Sequence, residues 1–152
     1  MGKSIELAPT RNAAMSTKSK REIGTEMFKR CYGNSLMEPP PEGQDAFFDI
    51  MLENLFGSVW AREEQLGMRD RRLFTMGIIA AMGQADIFEI QCGCALRNNE
   101  LDEVGVRELI IQLAPYAGYP RVNGMRAAAE KAIHNYKKEL KAAQEANNAP
   151  GE

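Results

Sequence analysis

Apolar residues recur at three- and four-residue steps along most of the chain, and no segment alternates with the period of two that marks a half-buried strand. The pattern predicts an all-α fold of about six helices. Met27, Phe28, Cys31 and Tyr32 lie at helical spacing, with Gly33-Asn34-Ser35 as a stop. Met37-Glu38-Pro39-Pro40-Pro41-Glu42-Gly43 reads as a stiff connector, because consecutive prolines have no N–H to give and favour extended backbone. Asp45 can then cap a helix in which Phe47, Phe48, Met51, Leu55 and Phe56 form the apolar face, and Gly57 is expected to end it.

A second core helix is expected from Met68 to Met82. Its first turns are charged, its remainder is apolar with the small residues Gly77, Ala80 and Ala81, and Gly83 suits its C-cap. Ala85 to Arg97 forms the next, followed by an Asn98-Asn99 turn. Asp102 is a plausible N-cap for a helix whose Val106, Leu109, Ile110, Leu113 and Ala117 make one stripe. Pro115 removes a donor and crowds the carbonyl of Ile111, so that helix either ends at Ala114 or kinks, and a kink is the preferred reading. Pro120 can start a last helix with Val122, Met125, Ala129, Ile133, Tyr136 and Leu140 as its buried edge. Residues 1–20 and 143–152 are polar and read as a flexible arm and tail, leaving 21–142 as one domain.

The chain has 152 residues, 44% of them hydrophobic and 26% charged, which suits a single core. A formal charge of −2 gives no field to attract nucleic-acid phosphates or anionic lipid, so neither partner is expected. The first twenty residues hold no apolar run of the signal-peptide kind. Leu73 to Met82, the longest apolar stretch, is too short to cross a membrane. Three cysteines do not make a disulfide framework, so a reducing, cytoplasmic location is expected. Cys92-Gly93-Cys94 suggests a redox pair by composition, but residues two apart on a helix point about 200° from each other. His134 is the single histidine, on the polar stripe Lys131, His134, Lys138, Lys141, so neither a zinc ligand set nor a serine-histidine triad is supported.

The most informative run is Arg107-Glu108-Leu109-Ile110-Ile111-Gln112-Leu113-Ala114-Pro115-Tyr116-Ala117-Gly118-Tyr119-Pro120. With Phe56-Gly57-Ser58-Val59-Trp60-Ala61-Arg62 and Cys94-Ala95-Leu96-Arg97-Asn98 before it, the chain resembles the carboxymuconolactone decarboxylase family, within the alkylhydroperoxidase D-like superfamily, from about Ile23 to Lys131. The resemblance implies a compact helical subunit assembling as a ring, a homotrimer or homohexamer. It also implies decarboxylase chemistry on a small carboxylic acid without metal or other cofactor, as in bacterial aromatic catabolism. It places Gln91 where the family signature has a histidine. Gln84 and Ile87 stand where the redox branch has its cysteines.

Carbon–carbon cleavage without a cofactor needs an anion clamp, a stabiliser for developing negative charge and a proton donor. Arg72 can serve as the clamp through its planar fork; the alternative is a surface ion pair with Asp70 or Glu89. Gln91 can orient a substrate by hydrogen bonds but cannot shuttle a proton near neutrality. Glu108, Gln112 and Tyr116 align at i, i+4, i+8, either as a catalytic set or as a solvated or subunit-facing stripe. Trp60 and Arg62 can line a pocket for a cyclic acid, with packing the stronger role for Trp60. Two functions follow: a cofactor-independent lyase or isomerase acting on a small cyclic or unsaturated acid, or a non-catalytic oligomer that binds a small acid or a protein.

Overall fold

A computed structural model describes residues 18–33 and 38–148, which form six helices and no strand. Most of the expected N-terminal arm, the Asn34-Ser35 stop, the first residue of the proline connector and the last four residues lie outside the described residues. Helix α1 spans Lys20–Tyr32. Its start is a reciprocal capping box in which Glu22 N donates to Ser19 Oγ and Ser19 N donates to the Glu22 carboxylate, satisfying two otherwise orphan donors.

Helix α2, Ala46–Met51, starts as expected, with the Asp45 carboxylate accepting from the N–H groups of Phe47 and Phe48. It does not stop at Gly57. The chain continues through Leu52–Trp60 in wider i→i+5 turns, where Ala61 N donates to Phe56 O at 3.0 Å and Ser58 Oγ donates to Glu53 O at 2.9 Å. Gly57 instead permits close helix contact: a Cβ there would lie 2.2 Å from Lys20 O of α1, and one on Gly24 would lie 1.9 Å from Leu52 O. The buried face also differs from the expected one. Leu52, Phe56 and Trp60 point inward, whereas Phe47 and Leu55, expected inside, are exposed.

Helices α3 (Met68–Met82) and α4 (Ala85–Arg97) have the expected bounds, and Gly83 ends α3 at a φ of 75°, a conformation glycine adopts without a Cβ penalty. Helix α5 spans Glu103–Ala117, with the Asp102 side chain capping Gly105 N at 2.7 Å. It runs through Pro115 rather than ending at Ala114. Helix α6, Tyr119–Asn147, has Pro120 in its first turn and carries helix into the expected tail. Its buried edge is Val122, Met125, Ala128, Ala129, Ala132 and Ile133; Leu140 is exposed.

The core has two parts. One is built by α3 to α6 around Met76, Phe88, Leu96, Val106 and Met125. The other packs Met27, Phe28 and Cys31 of α1 on Leu52, Phe56 and Trp60, with the Phe28 and Phe56 rings edge to face at 5.1 Å between centroids. No helix among the described residues is long and apolar enough to cross a membrane.

Candidate functional site

Arg72 leaves the charged first turns of α3 and enters the seam between the two core clusters, where it is only 1% exposed. Its Nε and Nη2 grip both oxygens of Glu100, Nη1 donates to Gln91 Oε1 at 2.7 Å, and Nη2 also donates to the Cys31 carbonyl at 2.7 Å. The Trp60 ring lies beneath the guanidinium, 5.6 Å from its centroid. A buried charge is tolerable only when paired and hydrogen-bonded, and here both conditions are met. Neither Asp70 nor Glu89 is the partner: Asp70 lies beside Arg69, and Glu89 pairs with Lys131. Sequence reasoning missed Glu100, which follows the Asn98-Asn99 turn, where Asn99 takes a left-handed φ of 54° and Glu100 N donates to Ala95 O at 2.8 Å.

Gln91, buried at 4% exposure, is part of this same network. Its Oε1 is taken by Arg72, and its side chain hydrogen-bonds Tyr32, a phenol whose pKa is raised by burial and partly lowered again by that bond. Asn98 completes the seam by donating to the carbonyls of Arg30 and Cys31 and to Glu100 Oε1. The network therefore ties α1, α3, α4 and the turn after α4 together. Arg62 does not join it: its side chain is exposed, and its carbonyl accepts from Arg71 Nη2 at 2.9 Å.

Glu108 and Gln112 lie on the exposed side of α5 and line one open groove with Arg69 and Leu73 of α3 and with Leu101, Gly105, Leu109 and Ile111. The groove encloses about 510 Å³. Tyr116, one turn further on, is 83% exposed and outside its lining. Of the seven residues singled out from the sequence, the fold brings Arg72, Gln91 and Trp60 together in the seam and Glu108 and Gln112 together in the groove. Arg62 and Tyr116 join neither. Arg69 was missed, because a run of three arginines around one aspartate gives no sign of which one faces a cavity.

The cysteines are all free and buried. Burial pushes the Cys31 and Cys92 thiols up to about 12 and raises Cys94 as well, which opposes the thiolate needed for exchange chemistry. Among the described residues, no group of three or more His, Cys, Asp or Glu side chains is placed to hold a metal ion. His134 is exposed on α6.

The family model described as carboxymuconolactone decarboxylase family matches residues 45–131, which hold the groove and most of the seam. The chain belongs to the carboxymuconolactone decarboxylase family. It is 27% identical, over 110 residues, to a 4-carboxymuconolactone decarboxylase of Acinetobacter baylyi (strain ATCC 33305 / BD413 / ADP1), a stretch covering 72% of this chain and 81% of that relative. No solved structure matches it. Within the family's bounds, α2 to α5 are complete and α6 is included as far as Lys131, so the match takes in both walls of the groove.

Proposed function

We propose that this family member is a cofactor-independent lyase, or isomerase, acting on a small cyclic or unsaturated carboxylic acid in aromatic-compound catabolism. The observation that carries the reading is the groove between α3 and α5, where the carboxyl group of Glu108 and the amide of Gln112 share a cavity with leucine side chains. In a decarboxylation, the bond between the ring carbon and its carboxylate breaks and carbon dioxide leaves. The electron pair passes to a neighbouring carbonyl oxygen as an enolate, and a proton then goes to carbon. Gln112 would hydrogen-bond the substrate or the developing enolate, and Glu108 would deliver the proton and recover it from water. Tyr116 is the alternative carrier, less favoured because it lies outside the groove lining. Arg72 and Gln91, closed off in the seam, would act by fixing α3 and α4 rather than by touching substrate.

The relative's name supplies the first substrate to try. Turnover of 4-carboxymuconolactone, followed by ultraviolet absorbance, should be measurable for the wild-type chain and fall by about a hundred- to ten-thousand-fold in Glu108→Gln, the usual range for a general acid–base group. A wild type that leaves this lactone and related unsaturated lactone acids unchanged would sink the lyase reading.

One observation favours a second function, a non-catalytic oligomer that binds a small acid or a protein. Gln91 stands where the family resemblance expects a histidine, and its acceptor is occupied by Arg72. Acid binding without turnover would identify this case. Under either reading we place the protein in the cytoplasm, supported by its three free thiols. We also propose a closed trimer or hexamer, supported by the exposed stripe Phe74, Ile78 and Met82 along α3.

A further inference from the structure

Four arginines stand between residues 62 and 72, and the fold gives them different tasks. Arg72 is shut into the seam with Nε and both Nη atoms engaged. Arg71 donates from Nε to Leu66 O and from Nη2 to Arg62 O, stitching the loop before α3 to its first turn. Arg62 lies outside the groove. Arg69 alone of the four lines it. Its Nε donates to the Glu100 carbonyl at 3.0 Å, which anchors the guanidinium from one side. The other edge carries Nη1 and Nη2, whose one acceptor among the described residues is Asp70 Oδ1 at a long 3.4 Å from Nη1, with both side chains more than half exposed. That edge is the one that can present two parallel N–H groups to a carboxylate. Arg69 and Glu108 also line the same groove without forming an ion pair, so the space between a fixed cation and a proton carrier is left open.

We propose that Arg69 is the specificity-determining residue of this groove and holds an anionic group that the substrate keeps throughout the reaction. This rests on the groove being the substrate site of the proposed lyase. A clamp on the departing carboxylate would weaken as its charge disappears into carbon dioxide, favouring the ground state over the transition state. A clamp on a retained anion binds both equally. The departing carboxylate is better placed against Leu73, Leu101 and Leu109, which offer it no partner. Glu100 thereby serves two arginines: its carboxylate locks Arg72 in the seam, and its carbonyl aims Arg69 into the groove.

The test compares wild type, Arg69→Ala and Arg69→Lys in two assays: calorimetric titration with phthalate, a cyclic dianion that does not react, and steady-state turnover of 4-carboxymuconolactone. Loss of a bidentate charged contact should weaken phthalate binding by about ten- to a hundredfold in Arg69→Ala and raise KM by a similar factor, with kcat within a few-fold. Arg69→Lys should fall between, since it keeps the charge and loses the fork. Melting curves of the variants verify folding; Arg69→Lys provides the folded comparison if the alanine variant is unstable. Phthalate binding by wild type that both substitutions leave unchanged would overturn the assignment, as would a wild type that does not bind phthalate. Turnover with an unaltered KM in both variants rejects Arg69 while sparing the lyase. Arg69-dependent phthalate binding without turnover keeps Arg69 and rejects the lyase.

Discussion

Glu100 is the residue on which most of the polar architecture converges, because its carboxylate balances a guanidinium that is only 1% exposed. Removing one partner of a buried ion pair leaves the other uncompensated, a loss of about 3–5 kcal/mol, so Glu100→Ala should lower the urea midpoint far more than Glu130→Ala at a surface pair. Equal effects would show that the seam is not under this electrostatic control. The cysteines give a pH dependence of definite sign. Cys31 and Cys92 have folded pKa values of about 12 against an unfolded value of 9.0, so above pH 9 the unfolded chain loses protons that the folded chain keeps. Stability is therefore fully present below pH 9 and falls as pH rises toward 12, by about 1.4 kcal/mol per pH unit for each thiol. Urea unfolding at pH 8 and pH 10 should show this loss, and Cys31→Ala/Cys92→Ala should flatten it. The site was only partly legible at this scale. Glu108 and Gln112 are one helical turn apart, so sequence spacing alone pairs them. Arg69 and Arg72 meet Glu100 across 31 and 28 residues and a turn, where spacing carries no information.

The helices show the same division between local and distant causes. The bounds of α3, α4 and the start of α5 are set by nearby residues: Gly83 in a left-handed turn, Asp102 reaching Gly105 N, and apolar side chains repeating every third or fourth position. The segment Leu52–Trp60 escaped that reading because its extra residue per turn rotates the face, and a 3.6-residue period carried on from Phe47 goes out of phase. Gly57 was misread for a related reason. Glycine in a helical pattern signals either a stop or a close approach, and only the position of α1 decides between them. The close approach yields a prediction. Gly57→Ala would put a methyl 2.2 Å from Lys20 O, which is backbone and cannot swing aside, so α1 must move off the wide-turned helix. Overpacking of this kind costs about 1–3 kcal/mol. Thermal unfolding should show a clear loss in melting temperature for Gly57→Ala and little change for Gly67→Ala, where a Cβ meets nothing within 4 Å.

For the whole molecule, the distribution of exposed apolar side chains is the feature that one chain does not explain. Phe74, Ile78 and Met82 are 73%, 47% and 66% exposed and succeed one another at four-residue steps, forming one uncovered face of α3. Ile111 and Tyr119, also exposed, lie near the junction of α5 and α6. Scattered apolar residues on a surface need no explanation, but a continuous helical stripe does, because covering it with a second copy recovers about 25 cal/mol for each Å² removed from water. The proposed trimer or hexamer supplies that cover by closed symmetry. Phe74→Asp would put a charge in the middle of this stripe. In a monomer it would be an innocuous surface change, and at a buried interface it would strand an unpaired carboxylate. Light scattering should therefore give three or six times the mass of one chain for wild type and the mass of one chain for Phe74→Asp, with the helical circular-dichroism spectrum retained. A wild-type mass of one chain that does not change with concentration would remove the ring, and a full-size Phe74→Asp oligomer would move the interface off α3.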